Sequence, residues 1–118
     1  MAKFDIPAGT TSNIWLVFGL DSTASDGSGK TGLSHSTSGL TIFYKRNTAP
    51  ADVSVTPAAI TTLGTYVSGG FREVDATGMA GVYEFHPPDA SVAAGAQSVA
   101  FLILAPGMAP LPFEIQIT

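Results

Sequence analysis

The sequence contains no cysteine, which excludes a disulfide framework and thiol chemistry. Charged residues are also scarce, at 12% of the chain, against about 25% in ordinary soluble domains. The formal net charge of -4 provides no basic surface for nucleic acid, so a nucleic-acid partner is not expected. No apolar run has the length of a signal peptide core or a membrane span. We therefore expect no membrane contact and folding in a cytosol.

What the chain does contain is apolar surface and turn-forming residues. Its 118 residues suffice for one domain with a core of its own. The mean hydropathy is +0.31, yet 13 glycines and 8 prolines interrupt the sequence throughout. Either Ser, Thr and Gly keep the surface hydrated, or other subunits cover part of it. The scarcity of charge favours the second interpretation, a protein that works in an assembly.

Short alternating segments separated by turns predict an all-β fold, an antiparallel sandwich of about seven strands. Residues 1–11 form a predicted amino-terminal arm, with Phe4 and Ile6 as its apolar residues. Residues 12–118 form the single domain, and residues 21–39 are a long polar loop within it. Loops of this length are uncommon in compact domains and often bind partners.

The segment 69–88 predicts a strand, a tight corner and a second strand that ends at a pair of prolines. Tyr83 and Phe85 share one face of the second strand, and Pro87-Pro88 ends it because proline cannot donate to a sheet ladder. Asp75 followed by Gly81, Tyr83 and Phe85 resembles the tyrosine corner of immunoglobulin-type sandwiches, with a longer spacing after Asp75. This resemblance implies an immunoglobulin-like sandwich in which these four residues are structural.

Two predicted strands are apolar on both faces, which a strand of a two-layer sandwich should not be. One runs over residues 12–20, where Trp15 and Val17 oppose a second apolar set. The other runs over residues 98–105. A subunit or capsid contact covering the second faces would explain the pattern. The candidate interface residues are Phe4, Ile6, Trp15, Val17, Ala100, Leu102 and Leu104.

The chain offers little catalytic chemistry. Residues 24–31 match a loose phosphate-binding loop, but glycine- and serine-rich residues follow where that motif requires a helix. His35 and His86 lack spaced companion ligands for a metal. Glu73 and Glu84 on adjacent strands have Arg72 nearby, so a surface ion pair is favoured over acid–base catalysis. We predict no catalytic residues, no cofactor and no metal.

Residues 69–75, residues 79–85 and the closing strand at residues 112–117 together resemble small virion proteins of tailed bacteriophages. Those proteins carry a Gly-Gly-aromatic-x-Glu-Val-Asp run followed by Met-Pro-Gly-Val-Tyr, and Ala80 replaces the proline here. The resemblance implies a non-enzymatic virion protein, assembled in the bacterial cytoplasm, that decorates or cements the capsid. It implies contacts with the major capsid protein or other virion proteins. The doubly apolar strands separately predict self-association as a dimer or trimer. The alternatives are a head or tail fibre or baseplate module and, from another class, a carbohydrate-binding module that uses Trp15, Tyr44, Tyr66 or Tyr83.

Overall fold

Within residues 2–118, a computed structural model shows eight β-strands and one 3₁₀ turn. The structure describes residues 2–118, with side chains from residue 4 onward; Met1 of the predicted arm lies outside the described residues. The 3₁₀ turn is Asp89–Val92. The strands are β1 (Ala2–Ile6), β2 (Trp15–Phe18), β3 (Thr41–Arg46), β4 (Val53–Val55), β5 (Phe71–Asp75), β6 (Met79–Phe85), β7 (Ser98–Leu104) and β8 (Leu111–Ile117).

The strands form two sheets, which confirms the all-β prediction. One sheet has five strands in the order β1-β8-β7-β3-β4, and the other has three in the order β2-β6-β5. The sequence predicted an antiparallel sandwich. This prediction is wrong for β1, which lies parallel to β8. A parallel pair needs a long connection between its strands, and here nearly the whole domain forms that connection. The segment predicted as an arm therefore supplies an edge strand.

Alternation along the strands places the core between the two sheets. The inward residues of the five-stranded sheet include Phe101 and Phe113, which are almost fully buried. From the three-stranded sheet, Trp15 packs against both rings, with centroid distances of 5.4 and 5.9 Å. Phe85 lies 5.6 Å from Phe101 and also contacts Trp15. Edge-to-face contacts between aromatic rings thus join the two sheets.

The outer face of β5 and β6 is covered by a segment that contains no strand. We call residues 57–69 the cover segment. Arg72 on β5 donates to the backbone carbonyls of Ile60 and Thr61, at 3.1 and 2.9 Å. The Tyr66 hydroxyl donates to the carbonyl of Pro87 at 2.8 Å. These bonds hold the cover segment against the sheet as a partial third layer.

The long loop at residues 21–39 folds back onto the sandwich instead of extending from it. The Lys30 amide donates to the Gly19 carbonyl at 2.7 Å, and Leu33 is buried. The loop crosses β6 where two glycines meet. A Cβ on Gly81, whose φ is +89°, would stand 2.5 Å from the Cα of Gly29. Larger residues cannot occupy this crossing without displacing the backbone.

Candidate interaction surface

Tyr83 fixes the long loop to the three-stranded sheet. Its side chain is buried, and its ring stacks on Phe71 with centroids 4.9 Å apart. The hydroxyl donates to the Lys30 carbonyl at 2.6 Å and accepts from the Leu33 amide at 3.3 Å. Burial raises the pKa of this hydroxyl above its usual value, so it remains a donor. A tyrosine corner bonds to backbone a few residues upstream, whereas these partners lie about fifty residues earlier in the chain.

The other three corner residues have separate structural places in the β5–β6 hairpin. The Asp75 carboxylate accepts from the Thr77 amide at 3.0 Å in the turn. Backbone N–H groups of Thr77 and Gly78 lower the pKa of Asp75, because they stabilise the ionised form. Phe85 lies in the core, and Gly81 lies at the crossing with the loop. The four residues do not converge on a single site.

The sequence did not predict the polar network beneath the cover segment. His86 is fully buried, and its Nε2 lies 2.7 Å from Oε1 of Glu84. Its Nδ1 accepts from the Val67 amide at 2.9 Å, so Nε2 carries the proton and donates to the carboxylate. The same Glu84 oxygen accepts from the Gly64 amide at 2.9 Å. The signal was present, because residues two apart on a strand share a face.

The candidate interface residues divide between the core and the surface. Val17 is buried and Trp15 packs among core rings, so both predictions are corrected: this face of β2 points into the sandwich. Ile6 is partly buried against the core. Phe4 lies at the sheet edge and is 49% exposed. The opposite face of β2 is the exposed one, with Leu16 59% exposed.

A larger apolar surface lies on the outer face of the five-stranded sheet, where Ala100, Leu102 and Leu104 point as predicted. Cross-strand register places Phe43 and Pro112 on either side of Leu102. Lys45 and Asp52 flank a shallow groove of about 410 Å³ over these strands. We call the following set the outer-sheet face: Phe43, Ala100, Leu102, Leu104 and Pro112.

A second apolar surface lies on the flank where both sheets have an edge strand. Phe4 of β1 and Leu16 of β2 line a groove of about 260 Å³, together with Ile6 and Trp15. Phe18, also well exposed, continues this surface along β2. We call the set Phe4, Leu16 and Phe18 the edge groove. Side chains from the two sheets meet here without closing the sandwich.

The candidate chemical sites do not assemble. Residues 24–31 continue into irregular loop, and the Asp26 carboxylate accepts from the Ser28 amide at 3.0 Å. Among residues 2–118, no three His, Asp or Glu side chains are grouped as metal ligands. In the β5–β6 register Glu73 lies opposite Tyr83, and Arg72 lies opposite Glu84. The two glutamates therefore do not form the carboxylate pair considered from the sequence.

Within residues 2–118 the structure has no helix long and apolar enough to cross a bilayer. No protein-family model, curated protein or solved structure matches this chain.

Proposed function

We propose that this chain is a non-enzymatic structural protein of a tailed-bacteriophage virion that decorates or cements the capsid. The observation that carries the proposal is the outer-sheet face, an apolar surface on the five-stranded sheet. Leu102 and Leu104 are each 36% exposed there, and the groove beside them is lined mainly by apolar and aromatic residues, with Lys45 and Asp52 at its margin. An exposed apolar surface formed by neighbouring strands is suited to protein–protein contact.

The proposed partner is the major capsid protein or another virion protein, in a virion assembled in the host cytoplasm. Self-association as a dimer or trimer belongs to the same proposal. The low charge of the chain supports burial in an assembly. A repeating shell presents the same docking site many times, so weak contacts by individual copies would sum over an oligomer.

The strand order supports an immunoglobulin-like fold as part of this proposal. The order β8-β7-β3-β4 corresponds to strands G, F, C and C′ of a variable-type domain, and β2-β6-β5 corresponds to B, E and D. In this assignment β1 is a first strand paired with G. β6 then takes the place of strand E, whereas the tyrosine corner belongs to strand F. The assignment therefore rests on topology and not on Tyr83.

The positions of the aromatic residues count against a carbohydrate-binding module. Such a module needs exposed rings on which a sugar can stack. Tyr44 and Tyr83 are buried, and Trp15 packs among three core rings. Tyr66 is partly buried, and one face of its ring is taken up by stacking on His86, with centroids 5.6 Å apart. A fibre or baseplate module remains the alternative within the virion class.

Copy number in purified virions tests the proposal. Quantitative mass spectrometry should find hundreds of copies per virion, whereas a handful would favour the fibre or baseplate alternative. Absence from the virion would overturn the proposal.

The docking face is tested by adding purified chain to shells that lack it. Leu102→Glu should weaken binding to these shells at least about tenfold, because a charge would be buried without a partner.

Met79→Glu is the matched control for the docking test. Met79 is also an exposed apolar residue, but it lies at the β5–β6 turn away from the outer-sheet face. This variant should bind shells like the parent chain. Equal loss of binding in both variants would exclude the outer-sheet face as the specific contact.

A further inference from the structure

β1 is an edge strand of the five-stranded sheet. β8 is the strand paired with β1, and no other described strand lies along its opposite edge. The Thr118 amide donates to the Ile6 carbonyl at 2.9 Å, so the backbone groups of Ile6 point toward β8. Backbone groups alternate in direction along a strand. Positions 3 and 5 therefore direct their N–H and C=O groups away from the protein, toward any strand that approaches this edge.

We propose that a second copy of this chain docks here, with the two β1 strands antiparallel about a two-fold axis through Phe4. The inference rests on the self-association included in the proposed function and identifies the surface responsible. Each copy would present the same segment to the other, as an isologous contact requires. The two five-stranded sheets would then continue as one sheet of roughly ten strands.

Backbone direction leaves few registers for this pairing. Hydrogen-bonded positions of an antiparallel pair must lie directly opposite each other, so position 3 or 5 of one copy must oppose position 3 or 5 of the other. Three centred registers satisfy this condition, with the axis at position 3, 4 or 5. The axis at position 3 places lysine opposite lysine, and the axis at position 5 places Asp5 opposite Asp5. Like charges directly opposite are unfavourable.

A two-fold axis at Phe4 satisfies both the backbone hydrogen-bonding condition and the charge condition. It places the lysine of position 3 opposite Asp5 of the other copy, twice, and brings Phe4 against Phe4. It also pairs all five residues of β1. With the axis at position 5, position 3 would instead oppose Pro7, which has no N–H to donate. The sequence Ala-Lys-Phe-Asp-Ile is thus self-complementary in this one register.

The other sheet edges are less suited to such pairing. β4 has only three residues, and short edge strands discourage pairing. The outer edge of β5 is occupied, because Ser34 bridges to Arg72 and the Gly32 amide donates to Glu73 at 3.1 Å. β2 is open, but its four residues carry no charge that selects a register. Pairing through β1 would also bring the edge groove of each copy toward the dimer axis.

Charge reversal tests the register. The parent chain should be a dimer by sedimentation equilibrium. Asp5→Lys and Lys3→Asp should each raise the dimer dissociation constant at least about tenfold, because each places like charges opposite each other at two positions. The double variant Lys3→Asp/Asp5→Lys restores opposite charges across the dimer and should bind more tightly than either single variant, although its aspartate at position 3 then lies opposite Glu114 in the ladder of its own chain. Asp52→Lys, the same charge change beside β4, should leave the dissociation constant unchanged.

Cross-linking provides a second measurement that depends on position alone. The chain has no cysteine, so a single introduced cysteine reports only its own contacts. Phe4 would oppose its own copy in a non-hydrogen-bonded pair, with Cα atoms about 4.5 Å apart, within disulfide range. Phe4→Cys should therefore form a covalent dimer under mild oxidation, and Val53→Cys on β4 should not.

A parent chain that is monomeric at all concentrations would overturn this inference. A dimer or trimer whose dissociation constant is unchanged by the charge reversals, and which does not cross-link at position 4, would also overturn it. Self-association itself would then stand. Neither result bears on shell binding through Leu102, so failure of the dimer and failure of the docking proposal can be told apart.

Discussion

Tyr83 shows how one polar atom inside the protein fixes a segment that has almost no regular structure of its own. Its hydroxyl bonds to two backbone groups of the 21–39 loop, while its ring belongs to the core. The sequence predicted that Tyr83 faces the interior, because alternation assigns it to the same face as Phe85. It did not predict the hydroxyl's partners, since no local pattern relates Tyr83 to residues about fifty positions away.

Removing that hydroxyl should cost stability. We expect Tyr83→Phe to lower the free energy of unfolding by about 1 kcal/mol, because the Lys30 carbonyl loses its donor. Tyr83→Ala should lower it by about 3–5 kcal/mol through the additional cavity. Urea denaturation measures both values. Tyr44→Phe is the control, because the Tyr44 hydroxyl makes no hydrogen bond among the described residues. A Tyr83→Ala variant as stable as the parent chain would contradict the assignment.

At the scale of elements, the strands were largely readable from the sequence and the cover segment was not. The closing strand expected at residues 112–117 lies within β8, and Pro87 follows the end of β6 as predicted. Residues 57–69 show neither helical nor strand periodicity. Their position is decided by hydrogen bonds to Arg72, Glu84 and His86, which a linear pattern does not reveal. Tertiary contacts therefore determine the conformation of this segment.

The Glu84–His86 network should hold the cover segment in place. His86→Leu leaves the Val67 amide without its acceptor and Glu84 without its imidazole donor. We expect this variant to lose about 2 kcal/mol or more of stability. Relative to the parent chain, hydrogen exchange should accelerate more at the amides of Gly64 and Val67 than at the amides of β7. Glu84→Gln retains an acceptor oxygen and should have a smaller effect. Unchanged exchange at Val67 in His86→Leu would show that other contacts hold the segment.

At the scale of the whole molecule, each of the two doubly apolar strands has one face in the core and one face at the surface. Along β2 and β7 one face fills the core, as Val17 and Phe101 show, and the other face is exposed. The sequence established that both faces were apolar, but it could not decide which was internal. That choice depends on which strands become neighbours across the sandwich. The apolar residues left outside form the outer-sheet face and the edge groove.

Removing residues 1–11 tests whether β1 is part of the fold. The truncated chain loses the ladder with β8 and the packing of Ile6 against the core. We expect a loss of at least about 2 kcal/mol, which corresponds to a melting temperature lower by several degrees for a domain of this size. Differential scanning calorimetry measures the change. A truncated chain that melts with the parent chain would show that these residues are a dispensable arm.

The parallel pairing of β1 with β8 also has a consequence for synthesis on the ribosome. Phe4 and its ladder neighbour Ile115 are roughly 110 residues apart in the chain. Translation proceeds from the amino terminus, so β1 leaves the exit tunnel long before β8 is made. During that interval the nascent chain can complete the three-stranded sheet, while β1 has no partner within its own molecule. Of the eight described strands, β1 is thus translated first and is among the last to pair.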